Sequence, residues 1–284
     1  SDLMRPEGGS SRGGESTIGN FLGGVALWQG DLVTGADFGV INPGGIRANL
    51  LAGEVTYREV FNVAPFGNTM ATLDLTGEQV DLMLEQQFAT YVDGVLTART
   101  GDHPVLRLGI SHNVEYVYDP TAPVGEKVSE IFIDNLAVDP EATYTVASNA
   151  FLLAGGDGFS VFRSGTNFTG GPVDLDSLID YFGEFSPVEV DYSQGSTGLH
   201  LSAPLVAGET VTASISSLSF TNAEPKPATV DLIVNGEVVG NDLTIDNTVT
   251  VKADQTGQAT VTFVVPDGVT PENAVVQIVT SDGS

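Results

Sequence analysis

Two glycine-rich turns carry the side chains best suited to binding a ligand. The first, residues 42–47, contains Asn42 and Arg47, and the second, residues 155–158, places Asp157 among glycines. Glycine has no Cβ atom and lets a ligand approach the backbone closely. Amide, guanidinium and carboxylate groups supply directional hydrogen bonds. Taken singly, each turn is better explained as an ordinary tight turn, because turns generally collect Gly and Asp.

The charge balance limits the classes of partner. The chain has 284 residues, with 37 acidic and 10 basic side chains and a net charge of -27, which disfavours nucleic acid and anionic membranes as partners. A phosphorylated ligand would need locally concentrated arginine to overcome this repulsion. Of the seven arginines, Arg12 precedes a predicted helix and Arg47 closes the first turn. These two are the candidate anion-binding residues.

The residues that usually carry catalysis do not form a recognisable site. His103, His112 and His200 are far apart and match no metal-binding spacing, and the chain has no cysteine. Neither a nucleophile elbow nor a phosphate-binding loop occurs. No apolar run is long enough to span a bilayer. The sequence therefore predicts no catalytic residue and no metal site in this chain.

Hydrophobic periodicity and capping signals predict the elements that position the turns. Four helices are predicted. The first begins at Thr17 and ends at Gly30, the second covers residues 57–63 with a Thr56–Glu59 capping box, the third follows Thr76, and the fourth covers residues 174–182. The predicted strands cover residues 36–41, 69–75, 105–110, 114–118, 128–133 and 143–149. Helices and strands interleave irregularly, which favours a mixed α+β domain over a doubly wound parallel sheet.

The pattern changes near Ala203. Beyond it, β-branched runs separated by turn signals predict strands over residues 211–215, 229–234, 248–253, 259–265 and 274–280. This pattern is typical of a small all-β sandwich. We therefore predict an α+β domain over residues 1–203, with residues 1–14 as the remnant of an interdomain linker, and a sandwich over 204–284. A polar linker, residues 193–202, would join them.

Five motifs in order resemble those of one family. They are RGGESTIGN (12–20), NPGGIR (42–47), TYREVFNVAPFGNT (56–69), LDLTGEQV (73–80) and FLLAGGDGF (151–159). Together they resemble the C-terminal, substrate-binding domain of the 5'-nucleotidase / UDP-sugar hydrolase / 2',3'-cyclic phosphodiesterase family, over about residues 5–187. The sandwich looks like a bacterial Ig-like module. The resemblance implies a mixed-sheet α+β domain that binds a nucleoside or nucleotide.

The resemblance also implies roles for individual residues of these motifs. Phe66 and Phe151 match the aromatic pair that sandwiches the base, Asn42 the residue at the base edge, and Asp157 the carboxylate that accepts the ribose hydroxyls. Arg12 and Arg47 match arginines that contact phosphate or ribose. The glycines that give the ligand clearance are Gly44, Gly45 and Gly156.

Hydrolysis in this family belongs to an N-terminal metallophosphoesterase domain that binds two divalent metal ions. The resemblance implies that this domain is the partner of the chain, which by itself would be inactive, and that the whole protein is a bacterial hydrolase, secreted or attached to the cell surface or cell wall. The alternative is a catalytically inactive surface adhesion or interaction protein. The substrate is left open among nucleoside monophosphates, UDP-sugars, cyclic nucleotides and NAD.

Overall fold

A computed structural model describes residues 1–8, 12–250, 252–253 and 255–281. The α-helices are α1 Thr17–Thr34, α2 Tyr57–Val63, α3 Gly77–Glu85, α4 Ala150–Leu153 and α5 Asp174–Phe185. The strands of the first part of the chain are β1 Phe38–Ile41, β2 Thr69–Thr76, β3 Ala89–Val92, β4 Val95–Ala98, β5 Gly109–Ile110, β6 Val114–Tyr118, β7 Val128–Ile133, β8 Leu136–Ala137, β9 Thr143–Asn149 and β10 Thr166–Val173. The remaining strands are β11 Ser196–Leu201, β12 Thr210–Ser216, β13 Thr229–Val234, β14 Glu237–Thr244, β15 Ala259–Val264 and β16 Val276–Thr280.

The predicted helix starts are confirmed, and three of the four predicted helices have a side-chain cap; α5 begins after Val173 without one. The Ser16 hydroxyl accepts from the backbone N–H of Gly19, and Thr56 with Glu59 forms the predicted capping box. Thr76 begins α3 with a second capping box. The predicted end of α1 at Gly30 is wrong: the helix continues to Thr34 and ends at Gly35, whose φ of 73° is left-handed.

Gly30 is instead required where α1 packs on the sheet. A Cβ atom at Gly30 would lie 2.5 Å from the Cβ of Ala147 and 2.9 Å from that of Ala36. Gly24, in the same helix, has open space where a Cβ would stand. Close packing therefore requires a glycine at position 30 but not at position 24.

This difference predicts opposite effects of two alanine substitutions. We expect Gly30→Ala to lower the free energy of unfolding by about 1–2 kcal/mol, because overpacking outweighs the gain in helix propensity. We expect Gly24→Ala to raise it by roughly 0.5–1 kcal/mol. Urea denaturation followed by circular dichroism measures both. Equal effects of the two substitutions would contradict the packing argument.

The five-stranded sheet brings the two glycine-rich turns together. Its order is β10-β2-β9-β1-β5, and β1 and β9 are parallel neighbours, with Phe38 opposite Val146. The first turn directly follows β1, and α4 with the second turn follows β9. Since parallel neighbours end at the same edge of a sheet, both turns emerge side by side.

Hydrophobic cores cover both faces of this sheet. Along each strand, successive side chains point to opposite faces. Phe38 and Val146 therefore belong to a core shared with α3, whereas Ile41 and Ala147 belong to a core shared with α1 and α5. The fold class, a mixed α+β domain, is confirmed.

A six-stranded sheet, β15-β12-β11-β6-β7-β8, continues across residue 203. The predicted linker 193–202 is wrong in its centre: β11 runs parallel to β6 and antiparallel to β12. Its sequence, STGLHL, contains a glycine and only one β-branched residue, and so carries no strong strand signal. The division at residues 203 and 204 stays a prediction, since the structure joins the two parts by hydrogen bonding and gives each its own core.

The strands after residue 203 enclose a third core as a small all-β sandwich. The sheet β14-β13-β16 contributes Val230 and Leu232, and the facing strands β12 and β15 contribute Val211 and Phe263. The Ig-like assignment stays a prediction.

Several strand predictions need correction. The predicted strand 105–110 is reduced to β5. Residues 248–250, 252 and 253 lie outside the strands, and Val251 lies outside the described residues. The strands β3, β4, β8, β10 and β14 are short or lack clear alternation and were not predicted.

Candidate ligand-binding site

A chain of side-chain amides fixes the centre of the site. Asn42 Nδ2 donates to Asp157 Oδ2 at 2.7 Å, and Asn149 Nδ2 donates to Asn42 Oδ1 at 3.0 Å. Asn149 also accepts from the N–H of Leu152 and so begins α4. Asn42 is only 3% exposed, so in this structure it orients Asp157. Its predicted contact with a base edge stays a prediction.

The second turn has a left-handed backbone. Asp157 has φ 53° and ψ 18°, between Gly155 and Gly158, whose φ angles are 86° and 83°. Aspartate is one of the few non-glycine residues that tolerate this region. The other carboxylate oxygen, Oδ1, accepts no hydrogen bond from any described residue. Asp157 Oδ1 can therefore accept hydrogen bonds from a ligand.

Phe151 lies against this turn. A Cβ atom at Gly156 would approach the Phe151 ring to 2.4 Å and the Phe151 carbonyl oxygen to 2.6 Å. Gly156 therefore lets the ring rest directly beside Asp157. Almost half of the Phe151 side chain, 47%, remains exposed. An aromatic face next to a carboxylate is thus open to a ligand.

Phe66 joins the site through Arg47. The Arg47 guanidinium carbon lies 5.7 Å from the centroid of the Phe66 ring, within cation–π range, and Phe66 is 55% exposed. Arg47 also donates its N–H to the Val63 carbonyl at 2.9 Å, which ties the first turn to the end of α2.

The remaining predicted residues meet at the first turn. A Cβ atom at Gly44 would lie 2.7 Å from Asp157 Oδ2 and 3.0 Å from Arg12 Nη1, so both side chains reach this glycine. A Cβ at Gly45 would lie 3.0 Å from Asn42 Oδ1. All nine residues predicted from the sequence are therefore connected by contacts in one region.

Sequence reasoning missed Arg5. Its Nη1 donates to the Arg47 carbonyl at 3.4 Å. Burial, followed by the positive charges of Arg47 and Arg12, lowers the pKa of Arg5. Three guanidinium groups thus form a local positive cluster. An antiparallel bridge between Leu3 and Leu50 brings Arg5 here, and no local pattern signals that bridge.

The site contains no recognisable metal centre. Within the described ranges, no group of three or more His, Asp or Glu side chains is placed to hold a metal ion. None of the helices described combines the length and apolar character needed to cross a membrane.

The chain is similar in sequence to several characterised proteins. The chain is 36% identical over 158 residues to the trifunctional nucleotide phosphoesterase protein YfkN of Bacillus subtilis, a match over 54% of this chain and 10% of that protein. It is 32% identical over 161 residues to protein UshA of Yersinia enterocolitica, over 56% of this chain and 26% of that protein. The chain thus spans about a quarter or less of these relatives.

A solved structure and a family description agree with these matches. The crystal structure of the 5'-nucleotidase precursor from Thermus thermophilus superposes with a TM-score of 0.58 and 30% identity, covering 69% of this chain and 37% of that chain. The family described as "5'-nucleotidase, C-terminal domain" matches residues 3–164, more than half of the sequence. The chain belongs to the 5'-nucleotidase C-terminal domain family.

Proposed function

We propose that this chain is the nucleoside-recognition part of a metallophosphoesterase that hydrolyses nucleotide phosphate esters. The single observation that carries the proposal is the pairing of two exposed phenylalanines with a fixed carboxylate. Phe66 and Phe151 are both about half exposed. The contacts of Arg47 with Phe66, of Gly44 with Asp157 and of Gly156 with Phe151 place both rings in one region with Asp157. In the proposed complex the base stacks on the two rings, and Asp157 accepts hydrogen bonds from the ribose hydroxyls.

Physical chemistry supports this assignment. Base–aromatic stacking contributes about 1–3 kcal/mol per base and tolerates any base. An ionised carboxylate can accept from two neighbouring hydroxyls, and hydrogen bonds to a charged group are the stronger kind. The glycines beside Asp157 leave room for the sugar to come close.

The arginine cluster supports recognition of the phosphate. Arg5, Arg12 and Arg47 concentrate positive charge in a chain whose net charge is -27. A guanidinium group binds phosphate oxygens in a fixed geometry. We therefore propose a nucleotide, and not only a nucleoside, as the ligand.

Isothermal titration calorimetry with adenosine and AMP tests the proposal. We expect AMP to bind about tenfold more tightly than adenosine at low ionic strength, because each charge-assisted contact contributes about 1.5–3 kcal/mol before solvent screening. The preference should shrink in about 1 M salt, where the Debye length is only about 3 Å. The Arg12→Met/Arg47→Met double variant should lose the preference for AMP over adenosine.

The matched control is Arg58→Met, which removes an exposed arginine from α2. This variant should keep the preference for AMP. No measurable binding of either ligand by the unaltered chain would overturn the proposed function. An undiminished preference in the double variant would overturn the phosphate assignment.

The proposal assigns hydrolysis to an N-terminal domain of the same protein, where two divalent metal ions would activate a water molecule and stabilise the phosphoryl transition state. This chain would hold the nucleoside so that the phosphate reaches the metals. Intact metal-ligand motifs upstream of Ser1 in the parent gene would support this assignment, whereas degraded motifs would favour the adhesion alternative. Assays of the full-length protein on nucleoside monophosphates, UDP-sugars, cyclic nucleotides and NAD would identify the substrate.

The proposal includes a secreted or cell-surface location, which fractionation of the source cells tests. It also includes the division into a nucleotide-binding unit and an appended Ig-like sandwich.

A further inference from the structure

The second turn receives support from Arg99, which lies 58 positions before Asp157. Arg99 Nη2 donates to the Asp157 carbonyl oxygen at 2.9 Å, and Arg99 Nε donates to the Gln86 carbonyl oxygen at 2.8 Å. One guanidinium group thus bridges the end of α3 and the turn. Its planar fork of donors suits two acceptors at fixed positions.

The surroundings hold Arg99 in place. Its guanidinium carbon lies 5.1 Å from the centroid of the buried Phe159 ring, and its backbone N–H bonds to the Phe88 carbonyl. From the hairpin of β3 and β4, the Thr90 hydroxyl donates to the Gly158 carbonyl at 3.3 Å. Side chains of this hairpin and of the residue that directly follows it therefore bind two adjacent carbonyls of the turn.

Such support matters because the backbone is left-handed at Asp157, a conformation that aspartate tolerates but that still costs more than an ordinary helical or extended one. Burial lowers the pKa of Arg99 to about 10, and the negative charge of Asp157 opposes this shift. The guanidinium therefore stays charged at neutral pH. Removing it would leave the Asp157 carbonyl without this donor and free the turn to relax.

We propose that Arg99 is a positioning residue: it fixes the backbone of residues 155–158 so that the Asp157 carboxylate meets the ribose hydroxyls. This inference rests on the proposed function. It adds a residue outside the five motifs, and it predicts a specific loss of ribose recognition. The base stack on Phe66 and Phe151 should be little affected, because Phe151 belongs to α4, which begins at the Asn149 cap outside the turn.

A pair of ligands separates positioning from a general structural role. Adenosine has both ribose hydroxyls, and 2',3'-dideoxyadenosine has neither. By calorimetry we expect the unaltered chain to prefer adenosine by about tenfold or more. Arg99→Met should weaken adenosine binding about tenfold and change dideoxyadenosine binding by less than about twofold. Arg99→Lys, which keeps one charged donor, should recover part of the loss.

Two further variants sharpen the test. Asp157→Ala should abolish the ribose preference, and Arg99→Met added to it should cause no further loss, because both act through one carboxylate. The control Arg163→Met removes an arginine that donates to the Ala154 carbonyl, directly before the same turn. This control should keep the ribose preference. A preserved preference in Arg99→Met, or equal weakening of both ligands, would overturn the inference.

A measurement without ligand distinguishes failure of the inference from failure of the proposed function. The Phe159 N–H bonds to the Gly156 carbonyl and closes the turn. We expect hydrogen exchange at this amide, resolved by NMR, to be at least about tenfold faster in Arg99→Met and unchanged in Arg163→Met. If the unaltered chain binds no nucleoside, the proposed function fails. Unchanged exchange in Arg99→Met overturns the positioning role in either case.

Discussion

Replacing both Phe66 and Phe151 with alanine is expected to remove measurable adenosine binding. Each ring should contribute about 1–3 kcal/mol of stacking, so the double variant should bind at least about 30-fold more weakly. The single variants should each lose about five- to 150-fold. Calorimetry with adenosine and AMP measures the loss. The melting temperature should hardly change, because both side chains are about half exposed.

Phe168→Ala is the matched control for these variants. Phe168 is 57% exposed and lies on β10, outside the contacts that join the site residues. Its removal should leave nucleoside affinity unchanged. If Phe66→Ala and Phe151→Ala bind adenosine as well as the Phe168→Ala variant does, the base is not held by stacking, and that part of the proposed function fails.

Of the substitutions proposed for this protein, Glu15→Ala is expected to cause the largest loss of stability. The Glu15 carboxylate is 2% exposed and accepts from the N–H groups of Gly195 and Ser196 at 2.8 and 3.1 Å. It also accepts from the Ser196 hydroxyl and from Asn20 Nδ2. Truncation leaves these donors unsatisfied in a buried position. We expect the free energy of unfolding to fall by about 3–5 kcal/mol.

Urea denaturation at neutral pH measures this change, and Glu209→Ala, at an exposed position before β12, is the control. The control should change the free energy of unfolding by less than about 0.5 kcal/mol. Glu15→Gln should lose less than Glu15→Ala, because the amide oxygen still accepts. A loss below about 1 kcal/mol in Glu15→Ala would mean that water replaces the carboxylate without cost.

Local signals explain which elements the sequence predicted. The starts of α1, α2 and α3 depend on a capping residue and a neighbour three positions away, and these patterns are visible in the sequence. By contrast, β11 pairs Ser196 with Tyr116, which lies 80 positions earlier. Its pairing depends on a partner strand that no local pattern specifies. The same reason hid Gly30, whose packing partner Ala147 is remote in sequence.

The residues of the candidate site likewise fall into those that local patterns reveal and those that depend on distant contacts. The nine predicted residues belong to short motifs or to turns that follow strands, so their positions could be found from the sequence. Arg5, Arg99 and Asn149 act through contacts with distant residues and lie in segments of ordinary composition. Residues that orient a binding group therefore escape motif analysis more easily than the binding group itself.

The continuous six-stranded sheet has a mechanical consequence. Because β11 is hydrogen-bonded to β6 on one side and to β12 on the other, the sandwich cannot rotate independently without breaking a ladder. Any rigid-body swing of the sheet strands before residue 203 would therefore carry the sandwich with it. A fluorophore at Asn241, an exposed position on β14, would therefore move together with the site. Distance measurements from that position would report domain movement without a label near the ligand.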